Sequence, residues 1–274
     1  MMKMENILEK IFNHKKKEIE ERRALYPQKL LERSPYFPTE PVSLKKYVLR
    51  KDKSGIIAEF KLRSPSKGYL NYSADVSEVT LGYMQAGASA LSILTDSHFF
   101  GGSLDNLKNA RRENYCPLLQ KDFILDTYQL IEAKSYGADA VLLIASMLSK
   151  EQLRFLSRFA HSLGLEVLFE IHKKEELNKL NEYVDLIGIN NRNLQTFQVD
   201  VSHSVRLNEA VSSQFITIAE SGINSPETAF YLQQNGFNGF LIGEAFMKKH
   251  DPVEACRSFV SSLRKLQHNK QEII

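Results

Sequence analysis

A chain of 274 residues that is 43% hydrophobic and 25% charged has the material for a large core and none of the composition of a disordered or low-complexity protein. Its formal net charge of +3 is too small to argue for a nucleic-acid partner. Two cysteines, Cys116 and Cys256, lie far apart and outside any CxxC spacing; both read as reduced and structural.

The N-terminus carries charges every few residues and no apolar stretch of the kind a secretory signal needs. No apolar run approaches the ~20 residues of a membrane span, so the expected location is the cytoplasm, with no membrane partner. Ile7, Leu8, Ile11 and Phe12 form an apolar stripe at helical spacing. The basic clusters that follow, Lys15-Lys16-Lys17 and Arg22-Arg23, are interleaved with glutamates and read as a solvated helix face. Pro27, Pro35, Pro38 and Pro41 break what comes next. Residues 1–50 therefore read as a helical extension packed on a single domain that occupies 1–274.

Three stretches resemble each other: 87–94 (GASALSIL), 137–144 (GADAVLLI) and 236–243 (GFNGFLIG). Each begins with a glycine that ends a helical pattern and runs into a short apolar strand. Their starts are 50 and 99 residues apart, two and four units of about 25 residues, the length of a βα unit in a closed barrel. Strand candidates at 55–60, 88–94, 117–121, 140–144, 166–171, 184–189, 215–219 and 239–242 complete a set of eight. Most are continuously apolar, as in parallel sheets buried on both faces. Helix signals fall between them. Asp126 precedes one helix; Ser149 with Gln152 forms a capping box for another, which stops at Gly164; Ser225-Pro226 and Asp251-Pro252 each supply a cap and a first-turn proline. Strict alternation of strand and helix gives parallel pairing with right-handed crossovers. Eight units favour closure, so the expected fold is a (βα)8 TIM barrel with an N-terminal helical extension.

In such a barrel the chemistry sits at the C-terminal strand ends. There the sequence places Glu59 and Lys61 (two apart, hence on one face), Ser64, Lys121, Phe123, Glu170, Asn190, Arg192, Glu220, Ser221, Gly222, Gly243 and Glu244. Charges converging on a barrel mouth need partners or a ligand. The glycines after strands seven and eight suit a backbone phosphate cradle. A lysine crowded by other cations would have a lowered pKa and could act as a general acid near neutrality, with a carboxylate as base. Gly101-Gly102-Ser103 reads as a tight loop capping the next helix. The seven histidines show no metal-ligand pairing, and GxGxxG, GxxxxGK[ST] and GxSxG are all lacking, so no metal site, no dinucleotide or P-loop nucleotide and no serine-hydrolase nucleophile is expected.

At these residues the chain resembles the indole-3-glycerol-phosphate synthase family of tryptophan biosynthesis. The matching stretches are 57–68 (IAEFKLRSPSKG), 94–103 (LTDSHFFGGS), 121–124 (KDFI), 187–194 (IGINNRNL), 219–223 (AESGI) and 240–244 (FLIGE), which run in order through all eight units. The resemblance implies a cofactor-free lyase that converts 1-(2-carboxyphenylamino)-1-deoxyribulose 5-phosphate into indole-3-glycerol phosphate, CO2 and water. It implies that Lys121 is the general acid toward the ketone and Glu170 its acid–base partner. By the same resemblance, Lys61 would touch the substrate carboxylate or phosphate and is a candidate acid for the dehydration. It further implies that Glu59, Asn190, Arg192, Glu220 and Ser221 hold the sugar chain, that Ser64 and Phe123 line the pocket, with Leu194 a candidate for its apolar wall, and that Gly222, Gly243 and Glu244 offer backbone N–H groups to the phosphate. Gln120 stands where the family more often has arginine, and is expected to point away from the mouth. The alternatives are a phosphoribosylanthranilate isomerase-like barrel, which would want a cysteine at a strand end, and a non-catalytic phosphometabolite-binding barrel. The expected partner is a small phosphorylated substrate; no interface pattern is evident, so a monomer is expected, with other enzymes of the pathway as candidate protein partners.

Overall fold

A computed structural model describes residues 7–65, 67–193 and 198–271. Eight parallel strands, β1 (Ile56–Phe60), β2 (Ala90–Leu94), β3 (Leu118–Lys121), β4 (Ala140–Ile144), β5 (Glu166–Ile171), β6 (Leu186–Asn190), β7 (Ile216–Glu220) and β8 (Gly239–Ile242), pair in chain order and close into a barrel. The seam is β1 on β8, in the register Ile57↔Leu241. The expected TIM barrel is therefore the fold. Strands begin up to two residues later than the apolar runs suggested, and β6 and β7 each extend one residue further. Asn190 and Glu220 are polar, yet they still pair with each other in register; an apolar run ends where polarity starts, but a ladder does not.

Each strand's alternation divides its residues between two layers. Ile57, Leu119, Leu168, Leu186, Ile218 and Leu241 fill the barrel interior, together with Leu44 and Val48 of α3 (Leu44–Val48). A short helix thus closes the bottom of the barrel. Two positions further along the same inward rows stand Glu59, Lys121, Glu170, Gly188, Glu220 and Gly243. The apolar floor and the charged mouth are successive steps on the same strands.

The intervening helices start and stop as their caps require. The Asp126 side chain accepts from Tyr128 N and closes a capping box with Gln129 ahead of α7 (Thr127–Ser135). Ser149 and Gln152 form the second box, at α8 (Lys150–Ser162). Ser225 caps α10 (Pro226–Gln234), with proline in its first turn, and Asp251 accepts from Glu254 N at 2.9 Å at the start of α12 (Pro252–Gln271). Ser103 accepts from Asn106 N and caps α6 (Leu104–Glu113), as the GGS loop suggested.

The first helix, α1 (Ile7–Leu25), departs from its sequence reading. Lys16 and Lys17 are exposed, but Lys15 is only 1% exposed, and its Nζ lies 2.8 Å from Asp122, 3.0 Å from Asp96 and 2.9 Å from Glu18. Ile11, Lys15 and Ile19 repeat every four residues and form the buried stripe of α1. A basic run is not uniformly solvated when a helix rotates one member inward. Arg22 is likewise engaged: its Nε meets Glu132 at 2.6 Å, and Tyr128 donates its hydroxyl to the Arg22 and Tyr26 carbonyls, both at 2.9 Å. Among the described residues no helix is long and apolar enough to cross a membrane.

Candidate active site

The mouth of the barrel opens into a cavity of about 150 Å³. Thirteen of the fourteen residues that the sequence nominated line it: Glu59, Lys61, Ser64, Lys121, Phe123, Glu170, Asn190, Arg192, Glu220, Ser221, Gly222, Gly243 and Glu244. The remaining one, Leu194, lies outside the described residues.

Lys121 occupies the centre. Its Nζ donates to Glu170 Oε2 at 2.8 Å and to Glu220 Oε2 at 2.7 Å. Beside it Lys61 Nζ donates to Glu59 Oε1 at 2.6 Å. The Asn190 amide donates to Glu170 Oε1 at 3.0 Å, and its own oxygen accepts from Arg192 N at 2.9 Å. Arg192 Nη2 stands 3.4 Å from Glu244 Oε2.

This arrangement corrects the expected protonation of the lysine. Lys121 is crowded by anions, not cations. Burial alone would pull its pKa down, but the Glu170, Glu220 and Glu59 carboxylates overcome burial and hold the ammonium well above the ordinary lysine value. The carboxylates diverge in turn. Burial, reinforced by repulsion from Glu170 and Glu59, pushes Glu220 up to about 8 against the pull of Lys121. Burial acts upward on Glu170 too, but Lys121 and His172 outweigh it and hold Glu170 at about 2. The triad thus titrates as a coupled unit, in which Lys121 keeps its proton and Glu220 holds a proton more tightly than Glu170 does.

Two glycines make this crowding possible. A Cβ at Gly188 would fall 2.1 Å from Glu220 Oε1, and one at Gly243 would fall 2.5 Å from Glu59 Oε1. Each leaves space for a buried carboxylate, a role distinct from the phosphate cradle anticipated for Gly243. After β7 the backbone turns through Ser221 (φ 67°) and Gly222 (φ 71°). Two consecutive left-handed residues, one of them not glycine, are uncommon and cluster at functional sites.

One wall of the cavity is apolar: Leu94, Phe100, Phe123, Leu142 and Ile144, with the Phe100 and Phe123 rings 5.8 Å apart. Phe100 belongs to the LTDSHFFGGS stretch but was not nominated. Nor was His172, whose Nε2 lies 3.3 Å from Glu170 Oε1; it is two residues beyond Glu170, the same spacing that joins Glu59 to Lys61. Gln120 turns away from the mouth and donates to Thr95 Oγ1 at 3.0 Å. Cys116 and Cys256 are buried outside the cavity, and burial pushes their thiols up to about 12.

The chain is similar to known proteins in sequence and in fold. The indole-3-glycerol phosphate synthase of Bacteroides thetaiotaomicron is 47% identical over 262 residues, covering 95% of this chain and 100% of the relative. The protein of that name from Campylobacter jejuni subsp. doylei is 45% identical over 259 residues, covering 93% and 100%. Among solved structures, the tryptophan synthase alpha subunit of Legionella pneumophila superposes with a TM-score of 0.60 at 16% identity, covering 82% of this chain and 98% of that one. The 3-hexulose-6-phosphate synthase of Salmonella typhimurium gives 0.59 at 14%, covering 78% and 99%. At such identities these two speak for the barrel alone. The family model described as indole-3-glycerol phosphate synthase matches residues 8–259, and with these relatives it establishes that the chain belongs to the indole-3-glycerol phosphate synthase family.

Proposed function

We propose that this mouth closes the pyrrole ring of indole-3-glycerol phosphate, taking 1-(2-carboxyphenylamino)-1-deoxyribulose 5-phosphate and releasing CO2 and water. The observation that carries the reading is Lys121, a buried ammonium held between the carboxyl groups of Glu170 and Glu220 and set against an aromatic wall.

The chemistry follows from that arrangement. The carboxyl-bearing ring carbon attacks the ketone, and Lys121 donates its proton to the carbonyl oxygen as charge develops there. The carboxylate leaves as CO2, restoring the aromatic ring. The new hydroxyl then departs as water on a proton from an acid, the role assigned to Lys61, while Glu170 takes the proton from the neighbouring carbon. Glu170 suits the base because Lys121 and His172 favour its ionised form; Glu220, whose carboxyl burial pushes up, accepts a second hydrogen bond from the lysine. Ser64 Oγ and Glu220 Oε1 are buried without a hydrogen-bond partner, which suits groups whose partner is the ligand. Gly222, Gly243 and Glu244 are assigned the phosphate, Asn190, Arg192 and Ser221 the sugar hydroxyls, and Phe123 the aromatic face.

The test is to mix protein and substrate and follow indole fluorescence, which is favourable because the chain contains no tryptophan. Product should form with stoichiometric CO2. Lys121→Ala and Glu170→Gln should each lower kcat/KM by at least ~10² while retaining the wild-type circular dichroism. Full activity in either variant removes that residue's role; no product from the wild type removes the reaction.

A further inference from the structure

His172 is an anomaly among the buried polar groups. Its side chain is 11% exposed, and neither ring nitrogen has a hydrogen-bond partner. Such groups are rare, and each calls for an explanation. The backbone that carries the ring is nevertheless held in place. The His172 backbone N–H donates to Glu176 Oε2 at 2.6 Å, and its carbonyl pairs with the His203 ring at 3.0 Å. Pinned at both ends of its peptide unit, the residue directs Nε2 to within 3.3 Å of Glu170 Oε1.

We propose that His172 is a positioning residue for Glu170, steadying its Oε1 edge while Lys121 is engaged with substrate. The inference rests on the ring-closure chemistry above. In the resting site Lys121 holds Oε2, and Asn190 and His172 face Oε1. Once Lys121 has given its proton to the substrate, its charge is gone. Glu170 is then buried near Glu220 and Glu59, and Asn190 is neutral. His172, which can carry a charge, stands against the edge that Lys121 does not reach. Its attraction is already one of the forces that keep Glu170 ionised. The charged groups facing Glu170 are Lys121 from β3 and Glu220 from β7. Around the imidazole, Lys173, Glu176, Arg192, Asp200 and His203 line a second cavity of about 430 Å³.

The test uses the full chain with His172→Asn and His172→Phe, reading kcat and KM from pH 5 to 9 and the Glu170 carboxyl by 13C NMR titration. For His172→Phe we expect kcat to fall about tenfold, with KM within about twofold. The Glu170 carboxyl should titrate about one pH unit higher. His172→Asn, which keeps a hydrogen-bonding group of similar size, should regain most of the activity. Superimposable profiles with an unchanged Glu170 titration would overturn the proposal. So would a loss equal at every pH with that titration unchanged, since it marks a purely structural role. If His172→Phe does not fold, His172→Asn decides alone. If the wild type forms no indole product, the ring-closure reading falls, and the NMR titration still decides whether His172 acts on Glu170.

Discussion

Glu220 is a buried carboxyl far from its ordinary state. Its folded-state pKa of about 8 lies above the ordinary carboxyl value, so the folded protein keeps a proton that the unfolded chain releases. Its contribution to stability is therefore full below pH ~4.5 and is lost progressively as pH rises to about 8. Glu220→Gln, which cannot ionise, should gain on the wild type by a few kcal/mol across that window, read as a difference in urea midpoint that widens from pH 5 to pH 8. A constant difference would contradict the assignment. Gly188 makes a second prediction at this scale. Gly188→Ala places a methyl group 2.1 Å from Glu220 Oε1 and must displace that carboxylate from Lys121. Because displacements of about 1 Å at a reacting centre cost up to ~10² in rate, kcat/KM should fall by more than tenfold, with a smaller change in melting temperature. Nothing in the sequence marked Gly188 for this. It sits inside an apolar strand, and only the inward row it shares with Leu186 and Asn190 reveals that it faces a charged neighbour on β7.

Among the elements, α1 shows where sequence reading stops. The strands were legible because a parallel strand buried on both faces is apolar throughout, and the helices because their caps are local: Ser149 with Gln152 needs four residues to be recognised. The burial of Lys15 is not local. Its partners Asp96 and Asp122 follow β2 and β3, and no pattern within α1 announces them. Asp122 accepts from Phe123 N at 2.7 Å, and Asp96 caps the short helix α5 (Ser97–Phe100) that carries Phe100. One lysine on the N-terminal helix thus ties together the two loops that form the aromatic wall. Lys15→Met would leave two buried carboxylates without their counter-charge, a change that typically costs about 3–5 kcal/mol, measurable by urea unfolding. Adding Asp96→Asn and Asp122→Asn to that variant should recover part of the loss. A Lys15→Met protein as stable as the wild type would mean that water or Glu18 already satisfies the pair.

For the molecule as a whole, the same inward rows that pack the barrel floor present the reactive groups one step higher, so the rigidity of the core is transmitted to the mouth. That is why the candidate site was largely readable from strand ends, while its charge state was not. Position along a strand follows from periodicity, but the sign of a pKa shift depends on which neighbours close in from other strands, and Lys121 meets carboxylates from β5 and β7. The seam adds a consequence for how the protein is made. β1 pairs with β8 through residues about 180 positions apart, and at ~5–20 residues per second of synthesis β1 leaves the ribosome roughly ten to forty seconds before its partner. Throughout that interval Ile56, Ile57 and Ala58 present an unpaired apolar edge, the kind that recruits other strands. Until Phe240 and Leu241 arrive, this nascent chain depends on keeping that edge covered.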